Sequence, residues 1–198
     1  DAFIEAVQGD PDTAELHFAL GNLFRRRGDY DRAVRVHEHL LARADLSRKD
    51  RDRAQHALAQ DFLKAGLLDR AEAALHKLQG TAHENEALLS LLAIYERSRD
   101  WTLAQGIAQR LENTRQGSFR NRLAHYRCEL AELDLRQGLV DNARTHLQAA
   151  TEQAPQLARA WIALSALQAQ QGEGPAAFES LCRLAEWAPQ ALPLVATT

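Results

Sequence analysis

The sequence predicts an all-α fold, a right-handed superhelical solenoid of antiparallel helix pairs. Strong helix formers, chiefly Ala, Leu, Arg, Glu and Gln, dominate its 198 residues, and β-branched residues are scarce. Hydrophobic residues make up 45% of the chain, as in folded globular proteins. One alanine recurs at positions 33, 71, 104, 143 and 177, at intervals of 38, 33, 39 and 34 residues. A nearly constant interval of this size indicates stacked repeats.

Five segments share one pattern, in which an apolar helix leads through a turn, often with glycine, into a helix that carries the recurring alanine. The repeats are predicted at about 12–45, 50–83, 84–117, 118–155 and 156–189. The longer intervals place their extra residues near 45–50 and 113–119, in turn-rich links where insertions are tolerated. A period near 34 with small residues at two fixed places is typical of the tetratricopeptide repeat.

The chain ends are predicted to be parts of further repeats. Residues 1–11 fit the second helix of a preceding repeat, and residues 190–198 fit the truncated start of another. The chain contains no methionine and begins inside a helical pattern, so we expect it to be part of a longer protein.

Small side chains are expected where the two helices of a pair approach each other, because one pair cannot bury its apolar stripe alone. The predicted contact points are Gly21, Ala33, Ala59, Ala71, Ala104, Ala131, Ala143 and Ala177.

The first helices of the pairs are predicted to form one wall that binds other proteins. Helical spacing assigns these positions to a groove: Phe18, Asn22, Arg25, Arg53, His56, Gln60, Leu89, Cys128, Glu132 and Ile162. Its early part offers side chains that can hydrogen-bond a peptide backbone or an acidic side chain, and its later part is more apolar. The alternative is that the polar residues are simply solvated.

No catalytic residue, cofactor site or metal ligand is predicted in this stretch. The net charge of −3 argues against nucleic acid as a partner, and the sequence contains no phosphate loop, HExxH or paired CxxC motif. His37 and His39 lie two residues apart and point in different directions on a helix, so they cannot easily share a metal ion. His37 occupies a repeat position that normally packs between helices, so it is expected to be a hydrogen-bonded interior imidazole. His125 lies one turn from Cys128, but no third orienting residue is evident. The acidic residues are expected to form a solvated face.

Three strings carry a closer resemblance to a known family. They are HFALGNLFRRRGDYDRAVRVHEHLL at 17–41, DFLKAGLLDRAEAAL at 61–75 and AHYRCELAELDL at 124–135. They resemble the repeat region of the lipopolysaccharide assembly protein B family of Gram-negative bacteria, and the resemblance runs through essentially the whole chain.

The resemblance implies a non-enzymatic adaptor that limits lipopolysaccharide synthesis. Family members help the membrane ATP-dependent zinc protease to degrade the lipid A pathway deacetylase, and an inner-membrane sensor protein antagonises them. They carry an N-terminal membrane anchor and a C-terminal rubredoxin-like zinc module, neither of which is in this sequence. The resemblance thus places the full-length protein at the cytoplasmic face of the inner membrane, with this stretch soluble.

Some possibilities stay open at the level of sequence. A generic assembly scaffold in envelope or pilus biogenesis is the alternative function, and a homodimer is possible. A disulfide between Cys128 and Cys182 is not decided by their spacing.

Overall fold

The computed structural model describes residues 12–114, 117–191 and 193. The described residues contain ten α-helices and no strand, which confirms the all-α class. The helices are α1 Asp12–Arg26, α2 Tyr30–Ala42, α3 Arg48–Ala65, α4 Leu68–His76, α5 Glu84–Ser98, α6 Trp101–Asn113, α7 Arg120–Arg136, α8 Val140–Gln153, α9 Ala158–Gln170 and α10 Gly174–Trp187. A short 3-10 helix follows at Pro189–Ala191.

Each predicted repeat contains one pair of helices joined by a short turn. The glycine-containing turns use the left-handed backbone conformation, for example at Gly66 with φ of 74°. The third pair has no glycine there, and Arg99 takes this conformation instead, with φ of 58°. Asp29 and Asp100 cap the helices that follow, each accepting a hydrogen bond from a backbone N–H three residues later.

Two compact units make up the chain, residues 1–94 and residues 95–198. In the first unit, Phe18, Leu40 and Ala54 belong to one buried cluster that joins α1, α2 and α3. In the second unit, the corresponding cluster includes Ala143, Leu147 and Leu164 from α8 and α9. Successive helices thus bury their apolar faces against each other within each unit.

The small residues predicted at the helix contacts are all buried. Ala33, Ala71, Ala104 and Ala143 have no exposed surface at all, and Ala177 is the most exposed of the alanines at 7%. Their small side chains allow the two backbones of a pair to approach closely, and this packing buries them.

Some of the predicted repeat boundaries lie outside the residues that the structure describes, and one differs from the observed start of a helix. Residues 1–11 lie outside the described residues, and so do most of residues 190–198. Helix α3 begins at Arg48, two residues before the repeat start predicted at 50, because Ser47 accepts a hydrogen bond from the N–H of Asp50 and caps the helix there.

Candidate protein-binding surface

Arg25 was predicted to line the groove, and the structure uses it mainly to join α1 to α3. Its guanidinium donates hydrogen bonds to Asp61 Oδ1 at 2.8 Å, to the Ala57 carbonyl at 3.0 Å and to Asn22 Oδ1 at 2.5 Å. The Arg25 side chain is 22% exposed and the Asp61 side chain is fully buried. Three hydrogen bonds of Arg25, and the Asn22 oxygen that accepts one of them, are therefore used inside the first unit.

His37 from α2 completes this network. Its Nδ1 donates to Asp61 Oδ2 at 2.5 Å, and the ring has no exposed surface. Its Nε2 has no hydrogen-bond partner and lies against Gly21, the small residue of α1. The prediction of an interior imidazole is confirmed, and the network ties together α1, α2 and α3.

Asp61 is the residue of this network that sequence reasoning missed. It was included among the solvated acidic residues, and that assignment is wrong, since its side chain is completely buried. A signal was present, because Ala54, Ala57, Leu58 and Asp61 follow the i, i+3, i+4, i+7 spacing of a buried helical stripe. A buried carboxylate must be paired, and Arg25 and His37 supply the partners.

Phe18 was assigned to the groove, and this assignment is wrong. Its side chain is 1% exposed, because it belongs to the cluster that joins α1 to α2 and α3. Arg53 covers it, with the guanidinium carbon 4.0 Å from the ring centroid. Arg53 is itself 42% exposed, and its Nη1 and Nη2 both donate hydrogen bonds to the Glu15 carboxylate on α1.

His56 and Gln60 on α3 and Leu89 on α5 were also assigned to the groove. His56 Nε2 is 2.8 Å from Glu86 Oε2, which places the start of α5 against α3, and Gln60 Nε2 is 3.5 Å from the same imidazole nitrogen. Leu89, one turn beyond Glu86, is 47% exposed. In the first unit, Arg53, Glu86 and Leu89 are thus available to a partner, and we call these three residues the exposed row.

In the second unit, Glu132 joins α7 to α9 through Arg159. The Arg159 guanidinium donates to Glu129 at 2.7 Å and also to Glu132, and lies 3.1 Å from His125 Nδ1. Glu132 keeps 48% of its side chain exposed, so it can still meet a partner at its outer edge. Ile162 packs against the cluster of Leu184, Ala188 and Ala191 and is only partly accessible.

Tyr126 and Arg122 form a further polar group in the second unit that sequence reasoning did not find. Both side chains donate hydrogen bonds to Glu96, with Arg122 Nη2 at 2.7 Å from Oε2. Burial and the hydrogen bond to Glu96 raise the pKa of the Tyr126 hydroxyl above its ordinary value. The link joins α7 to the last turn of α5.

Cys128 was also assigned to the groove, and this assignment is wrong because the side chain is 1% exposed. Burial raises the pKa of its thiol to about 11, although the nearby Arg159 acts in the opposite direction. His125 contacts Arg159 and Glu129 instead of activating the thiol. No disulfide forms, since Cys128 and Cys182 are both free.

We expect Cys128 to be inert to thiol reagents in the folded chain. The thiolate is the reactive form, and both burial and a pKa of about 11 keep the thiolate rare at pH 7.5. Titration with a chromogenic disulfide should modify one thiol per chain, Cys182, and a second one only after urea is added. A Cys182→Ser variant is the control, and rapid native labelling of that variant would contradict the buried position of Cys128.

The side chains that the described residues bring together hold helices to one another and show no catalytic arrangement. Ion pairs connect the first helices of successive pairs, such as Arg25–Asp61 in the first unit and Arg159–Glu129 in the second. Among the described helices, none is long and apolar enough to cross a membrane. Tandem helix pairs with buried small residues and exposed first-helix side chains define a helical repeat scaffold.

Two family models agree with this class. Family models described as tetratricopeptide repeat match residues 16–53 and 128–192. The crystal structure of MamA is similar to this chain with a TM-score of 0.49 at 18% identity, over 93% of this chain and 96% of that one. The structure of YrrB, described as a tetratricopeptide-repeat protein with an unusual peptide-binding site, gives a TM-score of 0.45 at 18% identity, over 97% and 95%.

Curated relatives identify the family. Lipopolysaccharide assembly protein B of Escherichia coli strain K12 is 36% identical over 185 residues, which cover 93% of this chain and 48% of that protein. The Haemophilus influenzae protein of the same name is 32% identical over 176 residues, covering 88% and 44%. The chain belongs to the lipopolysaccharide assembly protein B family through its tetratricopeptide repeats. It spans about half the length of the curated relatives it matches.

Proposed function

We propose that this chain is the protein-binding part of an adaptor that promotes degradation of the lipid A pathway deacetylase by the membrane ATP-dependent zinc protease. The family relationship over 93% of the chain is the observation that carries the proposal. Family membership also supports antagonism by an inner-membrane sensor protein, and a location of the full-length protein at the cytoplasmic face of the inner membrane.

A scaffold is physically suited to this task because an adaptor needs no chemistry of its own. Holding substrate and protease together raises their effective concentration to roughly millimolar. The buried network of Arg25, Asp61 and His37 supports such a role, since it fixes α1, α2 and α3 relative to one another. A fixed surface loses less entropy when a partner binds.

The exposed row is the part of the first unit that we propose to touch a partner. Leu89 offers an apolar contact at 47% exposure, Glu86 lies one turn before it on α5, and Arg53 on α3 adds a partly exposed positive charge. An apolar anchor with a polar rim is the usual anatomy of a protein interface. By contrast, Phe18, Cys128 and most of the Arg25 side chain are buried or bonded inside the fold. They can affect partner binding only by stabilising the surface.

The proposal predicts that Leu89→Asp strongly weakens partner capture. The tagged chain would be incubated with a lysate of a Gram-negative bacterium that lacks its own relative, and the retained deacetylase and protease would be detected with antibodies. A buried charge at an interface anchor should lower recovery of the partner at least about tenfold.

Leu103→Asp is the matched control, because Leu103 is similarly exposed at 45% but lies on a second helix, α6. It should leave recovery unchanged. Failure of the unmodified chain to retain either protein would contradict the proposed function. Equal losses in both variants would contradict the assignment to the exposed row.

A further inference from the structure

His56, His83 and Glu86 bring three metal-binding groups together in the first unit. Their ligand atoms all lie within 4.8 Å of one another. His56 Nε2 is 2.8 Å from Glu86 Oε2, and His83 Nδ1 is 4.0 Å from the same oxygen. The two imidazole rings stack with centroids 4.4 Å apart and planes 8° from parallel. Both imidazoles thus face one carboxylate.

We propose that His56, His83 and Glu86 bind one divalent transition-metal ion, for which zinc is the best-fitting candidate. Two imidazoles and a carboxylate suit zinc, nickel or copper, whereas magnesium and calcium prefer oxygen ligands alone. Three protein ligands leave the fourth position of a tetrahedral zinc ion for water or for a group from a partner.

The backbone already places the three ligands. His56 lies in the middle of α3, whose ends and buried face are fixed by the fold. His83 is held just before α5, because its N–H donates to Thr81 Oγ1 at 3.1 Å and its carbonyl accepts from Ala87 at 3.0 Å. Glu86 lies in the first turn of α5. Binding therefore requires rotation of side chains and no movement of a helix.

The movement required is confined to side chains. Zinc–nitrogen distances of about 2.0–2.1 Å put two tetrahedral ligands roughly 3.4 Å apart. Because a metal ion lies in the plane of each ring that ligates it, one of the two stacked rings must turn. The His83 side chain is 29% exposed and that of Glu86 is 66% exposed, so both can move and the ion can enter from solvent.

Sequence reasoning expected no metal in this stretch, and this site is distinct from the zinc module implied by the family resemblance. The three residues are separated in sequence and form no spaced motif, so only the fold reveals them. A bound ion would join α3 to α5 directly beside Leu89. It would then stiffen the exposed row, although its binding does not depend on the identity of any protein partner.

The test is calorimetric titration of zinc chloride into the chelator-stripped 198-residue chain. We expect one zinc ion per chain and a higher melting temperature in its presence, since a ligand that binds only the folded state stabilises it. His83→Ala and Glu86→Gln should each weaken zinc binding at least about tenfold, because even the loss of residues that only orient ligands costs 10–100-fold. His56→Ala should do the same.

His76→Ala is the matched control, since His76 also lies near a carboxylate, 3.8 Å from Glu72, but is not one of the three ligands. It should bind zinc as the unmodified chain does. His83 is only half-buried and Glu86 is exposed, so these two variants keep the test valid even if His56→Ala fails to fold. Absence of saturable zinc binding, or unchanged binding by both His83→Ala and Glu86→Gln, would overturn the proposal.

Discussion

Replacing Asp61 with alanine should lower the free energy of unfolding by about 3–5 kcal/mol, the usual effect of removing one partner from a buried ion pair. The substitution removes the acceptor for Arg25 and for His37 at once. Water can hydrate part of the Arg25 guanidinium, because its side chain is 22% exposed. The His37 ring is fully buried, so water cannot replace its lost hydrogen-bond acceptor. The unpaired groups, more than the lost attraction, account for the size of the effect.

Urea unfolding followed by far-ultraviolet circular dichroism measures this loss. Glu15→Ala is the matched control, because it removes the carboxylate partner of Arg53 from a pair that lies at the surface. Surface pairs contribute about 1 kcal/mol or less, so this variant should unfold close to the unmodified chain. If the two variants lose similar stability, Asp61 does not hold the buried position described above.

Replacing Gly21 with alanine should destabilise the chain by about 1–3 kcal/mol through overpacking. The new Cβ would lie 2.4 Å from His37 Nε2 and 2.5 Å from Cε1. The ring has no exposed surface and is held at its other nitrogen by Asp61, so it cannot turn away. We expect this overpacking cost to exceed the stabilisation that alanine normally gives when it replaces glycine inside a helix.

Gly106→Ala is the control that isolates this steric effect. Gly106 lies inside α6, and a Cβ there would meet no atom within 4 Å. This variant should therefore be more stable by about 0.5–1 kcal/mol, as expected for replacing glycine in a helix.

All three tryptophans lie beyond residue 94, so fluorescence reports the second unit while circular dichroism reports both. Stabilisation of both variants would contradict the close contact between Gly21 and His37.

Periodicity was sufficient to predict the helix pairs and the small buried residues. Ala33, Ala71 and Ala143 recur because every pair needs a close backbone contact, and this requirement leaves a regular trace in the sequence. The interior position of His37 was predicted on the same grounds. Local spacing carries this kind of information because it reports which face of one helix is buried.

The candidate surface was predicted less well, because it depends on contacts between repeats. The position-by-position assignment placed Phe18 and Cys128 on an exposed wall, but neighbouring helices cover both. Arg25 and Asp61 are 36 residues apart and their pairing leaves no local pattern. The apolar stripe of α3 could have indicated that Asp61 is buried, but its partners become evident only when α1 and α2 are packed against it.

The proposed metal ligands also come together through contacts between helices, which leave no local pattern in the sequence. His56 and His83 belong to different elements, and no spacing rule connects them. Their rings stack because the link before α5 returns the chain to α3. Function in a repeat scaffold arises from such juxtapositions between neighbouring helices, which makes the repeat motif a weak guide to individual binding residues.

Amide hydrogen exchange of the chain, with and without the purified deacetylase, tests most directly whether the first helices form the binding surface. We predict slower exchange in α3 and α5, around Arg53 and Leu89, and unchanged exchange in the second helices α2 and α4. Slower exchange confined to the second helices, or no change in any helix at saturating deacetylase, would contradict the claim that the first helices form the binding surface.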